Sequence, residues 1–413
     1  MQEMQEMQKK GCFMKQLISH KVNSIQPSGI RRFFDLIASM EGVVSLGVGE
    51  PDFVTPWHIR EAAVYAIEQG YTSYTSNAGL PQLRGAISQK LYDDYNLTYS
   101  PEDEVLITVG VSEALDLVLR AIINPEDEII IPEPCYVSYK SCTILAGGVP
   151  VVIPTMDTGG KVTPDRIESA ITPKTKAVLL SYPSNPTGAS LNRDELMAVA
   201  EVIKKYNLLI ISDEIYSLLS YDQPHTSIAS LPGMRDRTVL LDGFSKAYAM
   251  TGWRVGYAVG HKDIIMAMCK IHQYSMLCAS IVSQMAAVEA LKNGRGAMEG
   301  MRNEYNQRRR LIVDGFNCIG LKCLMPEGAF YAFPSIMSTG LSSEEFAERL
   351  LFEEKVAVVP GDVFGECGSG YIRCSYATSL ENIEEALKRM ERFVKRTKHE
   401  ISHTKDLVVS QIS

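Results

Sequence analysis

No two of the nine cysteines are spaced as CxxC, so neither a zinc knuckle nor a thioredoxin-type redox pair is available. Their odd number and wide scatter fit reduced thiols rather than a disulfide framework. Long apolar runs are lacking too. The longest, such as Leu208–Ile211, are strand-sized, far short of the ~20 residues that cross a bilayer. There is no excess of positive charge: 41 Lys and Arg stand against 49 Asp and Glu, a net charge of −8. A nucleic-acid backbone is therefore a poor partner. The opening MQEMQEMQKKGCFMKQ has no apolar stretch of the kind a secretory signal carries. Residues 1–20 read as a disordered leader, with Met14 as an alternative start, and these absences together point to a cytoplasmic protein without membrane attachment.

What is present is a chain of 413 residues, 46% hydrophobic and 22% charged, an ordinary composition for a globular protein. At roughly 100–200 residues per domain it is long enough for two or three domains. Short apolar runs recur at 104–109, 128–131, 149–153, 177–180, 208–211 and 238–241, with helix-like segments such as 112–123 and 193–206 between some of them. Strands that are apolar on both faces and alternate with helices predict an α/β fold, a mainly parallel sheet sandwiched by helices. The pattern changes after about Ala290, where a long helix (298–316), strands at 329–333, 357–359 and 371–375, and a helix at 380–394 predict a smaller α+β domain. We expect residues 56–290 to form the large domain and 21–55, which includes a helix over 29–40, to join 291–395 in the small one. Residues 396–413 read as a tail. The run Arg308-Arg309-Arg310 reads as a solvated helix face, and the Met-rich stretch 266–285 as core and dimer packing.

Ligands of a parallel sheet bind at the carboxyl ends of its strands, so the residues directly after each strand carry the functional information. Here they are Gly110-Val111-Ser112, then Ser184-Asn185-Pro186-Thr187-Gly188, then Ser212-Asp213-Glu214-Ile215-Tyr216, and finally Asp242-Gly243-Phe244-Ser245-Lys246. A glycine turn, an Asn, an Asp, a Tyr and a Lys thus share one sheet edge. A lysine among charges and dipoles can lose its proton and form an imine. A carboxylate facing a pyridine nitrogen keeps that nitrogen protonated and makes the ring an electron sink. Tyr and Asn can hydrogen-bond a ring phenolate. A helix N-terminus with a glycine turn binds phosphate, and Arg254 can fork onto the same group. Each of these features alone is commonplace, a surface lysine or a helix-capping aspartate; their convergence is the signal.

The motif GFSKAYAMTGWRVGY (Gly243–Tyr257) closely resembles the cofactor-lysine motif of class I aminotransferases, enzymes that depend on pyridoxal 5'-phosphate. SYPSNPTGA (Ser181–Ala189), SDEIY (Ser212–Tyr216), GEPDF (Gly49–Phe53), YTSNAG (Tyr74–Gly79), EGAFYAF (Glu327–Phe333) and YIRCSYA (Tyr371–Ala377) resemble its companions, in order, from about Pro27 to Val394. The branch most similar holds prokaryotic aspartate and aromatic-amino-acid aminotransferases. The resemblance implies a fold type I transferase in which Lys246 forms the imine and then shuttles the substrate proton. It further implies that Asp213 pairs with the ring nitrogen, that Asn185 and Tyr216 hold the phenolic oxygen, and that Tyr136 stacks on the ring. Gly110, Val111, Ser112, Ser245 and Arg254 are the implied phosphate ligands, joined by Tyr74 reaching across a homodimer interface. Arg373 is the implied ligand of the substrate α-carboxylate, with Gly49 and Asn185 beside it. The implied reaction is a ping-pong transfer from an L-amino acid, aromatic or aspartate, to a 2-oxo acid, 2-oxoglutarate.

Two positions depart from the family pattern. Gly243 stands where many relatives have a phosphate-binding serine. No arginine for a distal carboxylate can be located either. A β-elimination at a C–S bond begins with the same Cα deprotonation and is the alternative reaction. A ligand sensor fused to a DNA-binding module is set aside because the region before Pro27 is too short for one. His399-Glu400-Ile401-Ser402-His403 fits HExxH but lies in the tail with no convincing third ligand, so no metal is expected. Gly47-Val48-Gly49 lacks the helix and third glycine of a dinucleotide site, and Asn96-Leu97-Thr98 as a glycosylation acceptor has no meaning in a cytoplasm.

Overall fold

The apolar runs become the strands of one large sheet. In this computed structural model, residues 17–25, 27 and 40–412 are described, with side chains as far as residue 400. Numbered along the chain, β1 (Val44–Ser45) belongs to a small sheet considered below. The large sheet contains β2 (Val105–Thr108), β3 (Glu128–Glu133), β4 (Val149–Pro154), β5 (Thr175–Ser181), β6 (Leu209–Asp213), β7 (Thr238–Gly243) and β8 (Gly256–Val259). Their order is β2-β8-β7-β6-β5-β3-β4. Strands β3 to β7 run parallel, while β8 is antiparallel to both neighbours. β2, β7 and β8 are buried at every position, as expected of strands covered on both faces. The reversed strand β8 was absent from the sequence reading: its four residues, GYAV, overlap the end of the Gly243–Tyr257 motif and open on a glycine, so they carry little strand signal.

Register sets the working edge. Ser181 pairs with Asp213 and Asp213 with Leu241, so β5, β6 and β7 end side by side. The helix expected after β2 spans Val111–Ile122, one residue earlier than read, and the helix Arg193–Lys205 starts with a capping box between Asn192 and Glu195. That box satisfies two otherwise orphaned N–H groups.

The later part of the chain builds a second layer. β1 pairs in parallel with β10 (Val356–Ala357). β11 (Val359–Pro360), β12 (Ile372–Ser375) and β9 (Tyr331–Ala332) form a three-stranded antiparallel sheet. The long helix Arg295–Cys318 and the helices Ser343–Glu354 and Leu380–Ile412 pack on them. Their core, including Phe316, Phe330, Phe346 and Phe393, also takes in Leu46, Tyr216 and Ala249, so it abuts the strand ends of the large sheet. The helix expected over 29–40 lies outside the described residues, as does the leader up to residue 16.

Two features differ from expectation. Arg308 and Arg309 are not a solvated face: they are 7% and 2% exposed. Arg308 Nη1 donates to both carboxylate oxygens of Asp52, at 2.8 and 2.9 Å, and the guanidinium lies over the rings of Phe53 and Tyr305. Arg309 grips Asp222 at 2.8 and 2.9 Å and lies over Tyr221. Their partners are remote in sequence, so the charge run gave no hint of them; only Arg310 is exposed. The closing helix does not stop at Val394 but runs to Ile412, burying Ile383, Ala386, Met390, Phe393, Val394 and Thr397 at helical spacing. The Met-rich stretch is mixed, with Met268 buried while Met266 and Met276 are exposed. Among the described residues no helix is long and apolar enough to cross a membrane, and no three His, Cys, Asp or Glu side chains are grouped to hold a metal. The side chain of His403 lies outside the described residues.

Candidate active site

At the carboxyl edge of the sheet lies a cavity of about 480 Å³ whose lining includes Gly49, Val111, Ser112, Tyr136, Asn185, Asp213, Tyr216, Ser245, Lys246, Arg254 and Arg373. Of the sequence-predicted residues, two lie elsewhere. Gly110 caps the helix directly before Val111. Tyr74 is 82% exposed on the surface, away from the lining. The lining also includes Tyr331, from the EGAFYAF motif, and Glu50, Tyr139 and Thr251, to which sequence reasoning gave no role in the site.

Lys246 follows β7, and its Nζ donates to the Gly49 carbonyl at 2.7 Å. Burial lowers its pKa to about 8, with Arg373 and Arg254 adding to the drop and Glu50 opposing it. Asp213 ends β6 and is buried. One carboxylate oxygen accepts the Tyr139 hydroxyl at 2.8 Å and the other the Ile215 N–H at 3.2 Å. Burial raises its pKa to about 6, and those two hydrogen bonds hold it down. A lysine pushed toward neutrality and a carboxyl pushed toward protonation thus share one cleft, an arrangement typical of functional sites.

The phosphate side is built by backbone proximity. Gly110 has φ +80°, and a Cβ there would stand 2.6 Å from Nη2 of Arg254. A Cβ on Gly256 would meet the Val111 nitrogen at 2.8 Å. Only glycines permit this approach of β8 and the guanidinium to the helix start. The first-turn N–H groups of Val111 and Ser112 have no partner within their own helix, and both residues line the cavity. Arg254 takes a left-handed backbone, φ 52° and ψ 57°, and donates to the Thr251 carbonyl at 3.0 Å. The departure at Gly243 has a steric counterpart: a Cβ there would lie 3.0 Å from Gly256 Cα and 3.3 Å from a Val111 methyl.

The carboxylate side centres on Arg373 of β12, which is 2% exposed. It donates to Asn185 Oδ1 at 3.0 Å and to the Gly47 carbonyl at 2.8 Å, and packs over the rings of Tyr331 and Phe364. Its Nε is buried with no hydrogen-bond partner among the described residues. Tyr216 and Tyr331 share a hydroxyl–hydroxyl hydrogen bond of 2.9 Å. A Cβ on Gly49 would crowd the Tyr331 hydroxyl at 2.8 Å. The donor set fits an anionic aromatic cofactor bearing a phosphate: a lysine, a buried carboxylate, hydroxyls, and a helix start with an arginine beside it.

A fold of this kind with a lysine so placed defines a pyridoxal-phosphate transferase. Residues 41–390 match the family Aminotransferase class I and II, and the chain belongs to that family. It is 57% identical to the putative aminotransferase YugH of Bacillus subtilis, over 93% of this chain and 100% of the relative. It is 44% identical to an aspartate aminotransferase of Pyrococcus abyssi, over 92% and 99% of the two chains. Among solved structures, the aromatic aminotransferase of Pyrococcus horikoshii superposes with a TM-score of 0.85 at 43% identity, covering 89% of this chain and 99% of that one. The protein is an aminotransferase of amino acids and 2-oxo acids, with pyridoxal 5'-phosphate as cofactor.

Proposed function

We propose that this enzyme moves the amino group of an L-amino acid, aromatic or aspartate, to 2-oxoglutarate by a ping-pong mechanism, as a cytoplasmic homodimer. The observation that carries the reading is that Lys246, Asp213 and Arg373 line one cavity, with the lysine and carboxyl displaced toward neutrality. Relatives acting on aspartate and on aromatic substrates support the two donor classes.

In this reading Lys246 holds the cofactor and its Nζ takes the proton from the donor's Cα; a pKa of about 8 leaves a usable neutral fraction near pH 7. Bound pyridoxal phosphate supplies a conjugated ring that accepts the electron pair left behind. The Asp213 carboxylate holds the proton of the ring nitrogen. Asn185 and Tyr216 orient the phenolic oxygen, and Tyr136 covers the ring. The N–H groups of Gly110, Val111 and Ser112, with Ser245 and Arg254, bind the phosphate, and Tyr74, exposed in the single chain, reaches the partner's site. Arg373 fixes the α-carboxylate beside Gly49 and Asn185. The division into a large domain of 56–290 and a small one of 21–55 and 291–395 lets these groups approach from two bodies.

Borohydride reduction of the loaded protein should trap the cofactor on the peptide containing Lys246. Asp213→Asn should retain the cofactor and slow proton transfer by several tenfold steps, each about 1.4 kcal/mol of barrier. A label on another lysine, or an Asp213→Asn rate within about twofold of wild type, a barrier change of only about 0.4 kcal/mol, refutes the assignment. Release of ammonia and pyruvate in place of amino transfer identifies the lyase reaction instead.

A further inference from the structure

Tyr139 has no role in the reading above, yet it touches two residues that do. It lies in the first turn of the helix Ser138–Ala146, 2% exposed. Its hydroxyl donates to Asp213 Oδ2 at 2.8 Å. Its ring meets that of Tyr136 edge-on, centroids 5.7 Å apart at 80°. Its own backbone is tied at both ends of one turn: its N–H donates to the Tyr136 carbonyl at 3.1 Å and its carbonyl accepts from Thr143 Oγ1 at 2.8 Å.

We propose that Tyr139 is a positioning residue for the transamination: its phenol fixes the Asp213 carboxylate, ionised and correctly turned, as the partner of the cofactor's ring nitrogen. The inference rests on the role proposed for Asp213 and extends it by one residue. Asp213 sits among groups that mostly oppose its charge. Burial raises its pKa, as do Asp242 of β7 and its chain neighbour Glu214, while the hydrogen bonds from the Tyr139 hydroxyl, the larger of the two, and the Ile215 N–H lower it. Lys246 also faces it, with Asp213 raising the lysine's pKa, and Tyr216 stands close by. The Tyr139 phenol is itself kept neutral, because burial pushes its ionisation far above the usual range. It is therefore a donor at every pH at which the enzyme works. A carboxylate with one donor on each oxygen can neither rotate nor keep a proton cheaply. Removing the phenol leaves a more basic carboxyl, which draws the shared proton off the ring nitrogen.

The test uses the loaded enzyme with ¹⁵N in the cofactor ring. In Tyr139→Phe the ring-nitrogen resonance should move toward its unprotonated position, and the dissociation constant of the cofactor should rise about tenfold, the effect of losing a hydrogen bond to a charged group. A folded Tyr139→Phe protein whose resonance stays at the wild-type position overturns the proposal. A near-isosteric replacement, 3-fluorotyrosine at 139, is a stronger donor and should shift the Asp213 carboxyl ¹³C resonance. If that resonance is unmoved, the proposal fails even where the phenylalanine variant does not fold. A borohydride label on a lysine other than Lys246 overturns the site reading itself and is seen separately from either resonance.

Discussion

Arg373 donates to the side-chain oxygen of Asn185 at 3.0 Å across 188 residues of sequence. The two residues proposed to flank the substrate carboxylate thus position one another. The guanidinium is planar, and its second nitrogen is held by the Gly47 carbonyl at 2.8 Å, so its fork is preset. Lysine supplies the charge without the fork. Arg373→Lys should therefore raise KM for every amino donor by about ten- to a hundredfold, the range for hydrogen bonds to charged groups, with the ranking of donors unchanged. Steady-state kinetics over several donors check this; a reordered ranking would mean that Arg373 reads the side chain.

Lys246 should give a pH dependence displaced from that of an ordinary lysine. Its pKa is lowered to about 8, first by burial. Only the neutral amine attacks an aldehyde, so its reactive fraction grows as pH rises through about 8 and levels off above. Cofactor capture by the apoenzyme, followed by absorbance, should slow about tenfold for each pH unit below 7. Capture that keeps accelerating beyond pH 10 would show a lysine that burial has not altered.

The large sheet and the residues at its edge were legible because both signals are local. Apolar runs report strands buried on two faces, and a residue directly after such a strand must lie at the ligand edge. The opening of the helix at Val111 and the strand-end positions of Asp213 and Lys246 follow from this logic. What escaped reading depends on partners far along the chain. Tyr139 precedes Asp213 by 74 residues, and its helix, which follows β3, is brought to the carboxylate by the pairing of β3 with β5 and of β5 with β6. Gly243 read as a missing donor, and its close approach to the Gly256 backbone became visible only with β8 in place. Arg308 and Arg309 looked like solvent-facing charge because nothing in their own helix names Asp52 or Asp222.

Arg308 offers a stability test tied to the site. It holds Asp52, three residues beyond Gly49, and stacks on Phe53 at 5.0 Å. Arg308→Ala removes the ion pair and the packing of its stem. It should lower stability by about 2 kcal/mol, discounted for the partly exposed Asp52. It should also raise KM, because the Gly47 and Gly49 carbonyls that meet Arg373 and Lys246 belong to the same segment. Arg310→Ala is the control: an exposed position should stay within about 0.5 kcal/mol. Urea unfolding and steady-state kinetics read both effects. Equal losses in the two variants would show that burial of Arg308 is not what matters.

Donor preference is the last test. Among the described residues lining the cavity the cations are Lys246, Arg254 and Arg373, and each already has a proposed partner: cofactor, phosphate and α-carboxylate. No lining cation remains for a distal carboxylate, whereas Tyr136 and Tyr331 offer ring surface. Aromatic donors should therefore outrank aspartate. The margin is limited by the acceptor. The proposed acceptor, 2-oxoglutarate, would carry its own distal carboxylate into the same pocket in the second half-reaction, so on that reading the pocket tolerates the group. The preference for phenylalanine or tyrosine over aspartate in kcat/KM should stay below about tenfold, which is 1.4 kcal/mol. A panel of donors against 2-oxoglutarate with the purified enzyme measures it. If aspartate leads by a hundredfold, a cation outside this lining must reach the pocket, and the partner subunit is where to look for it.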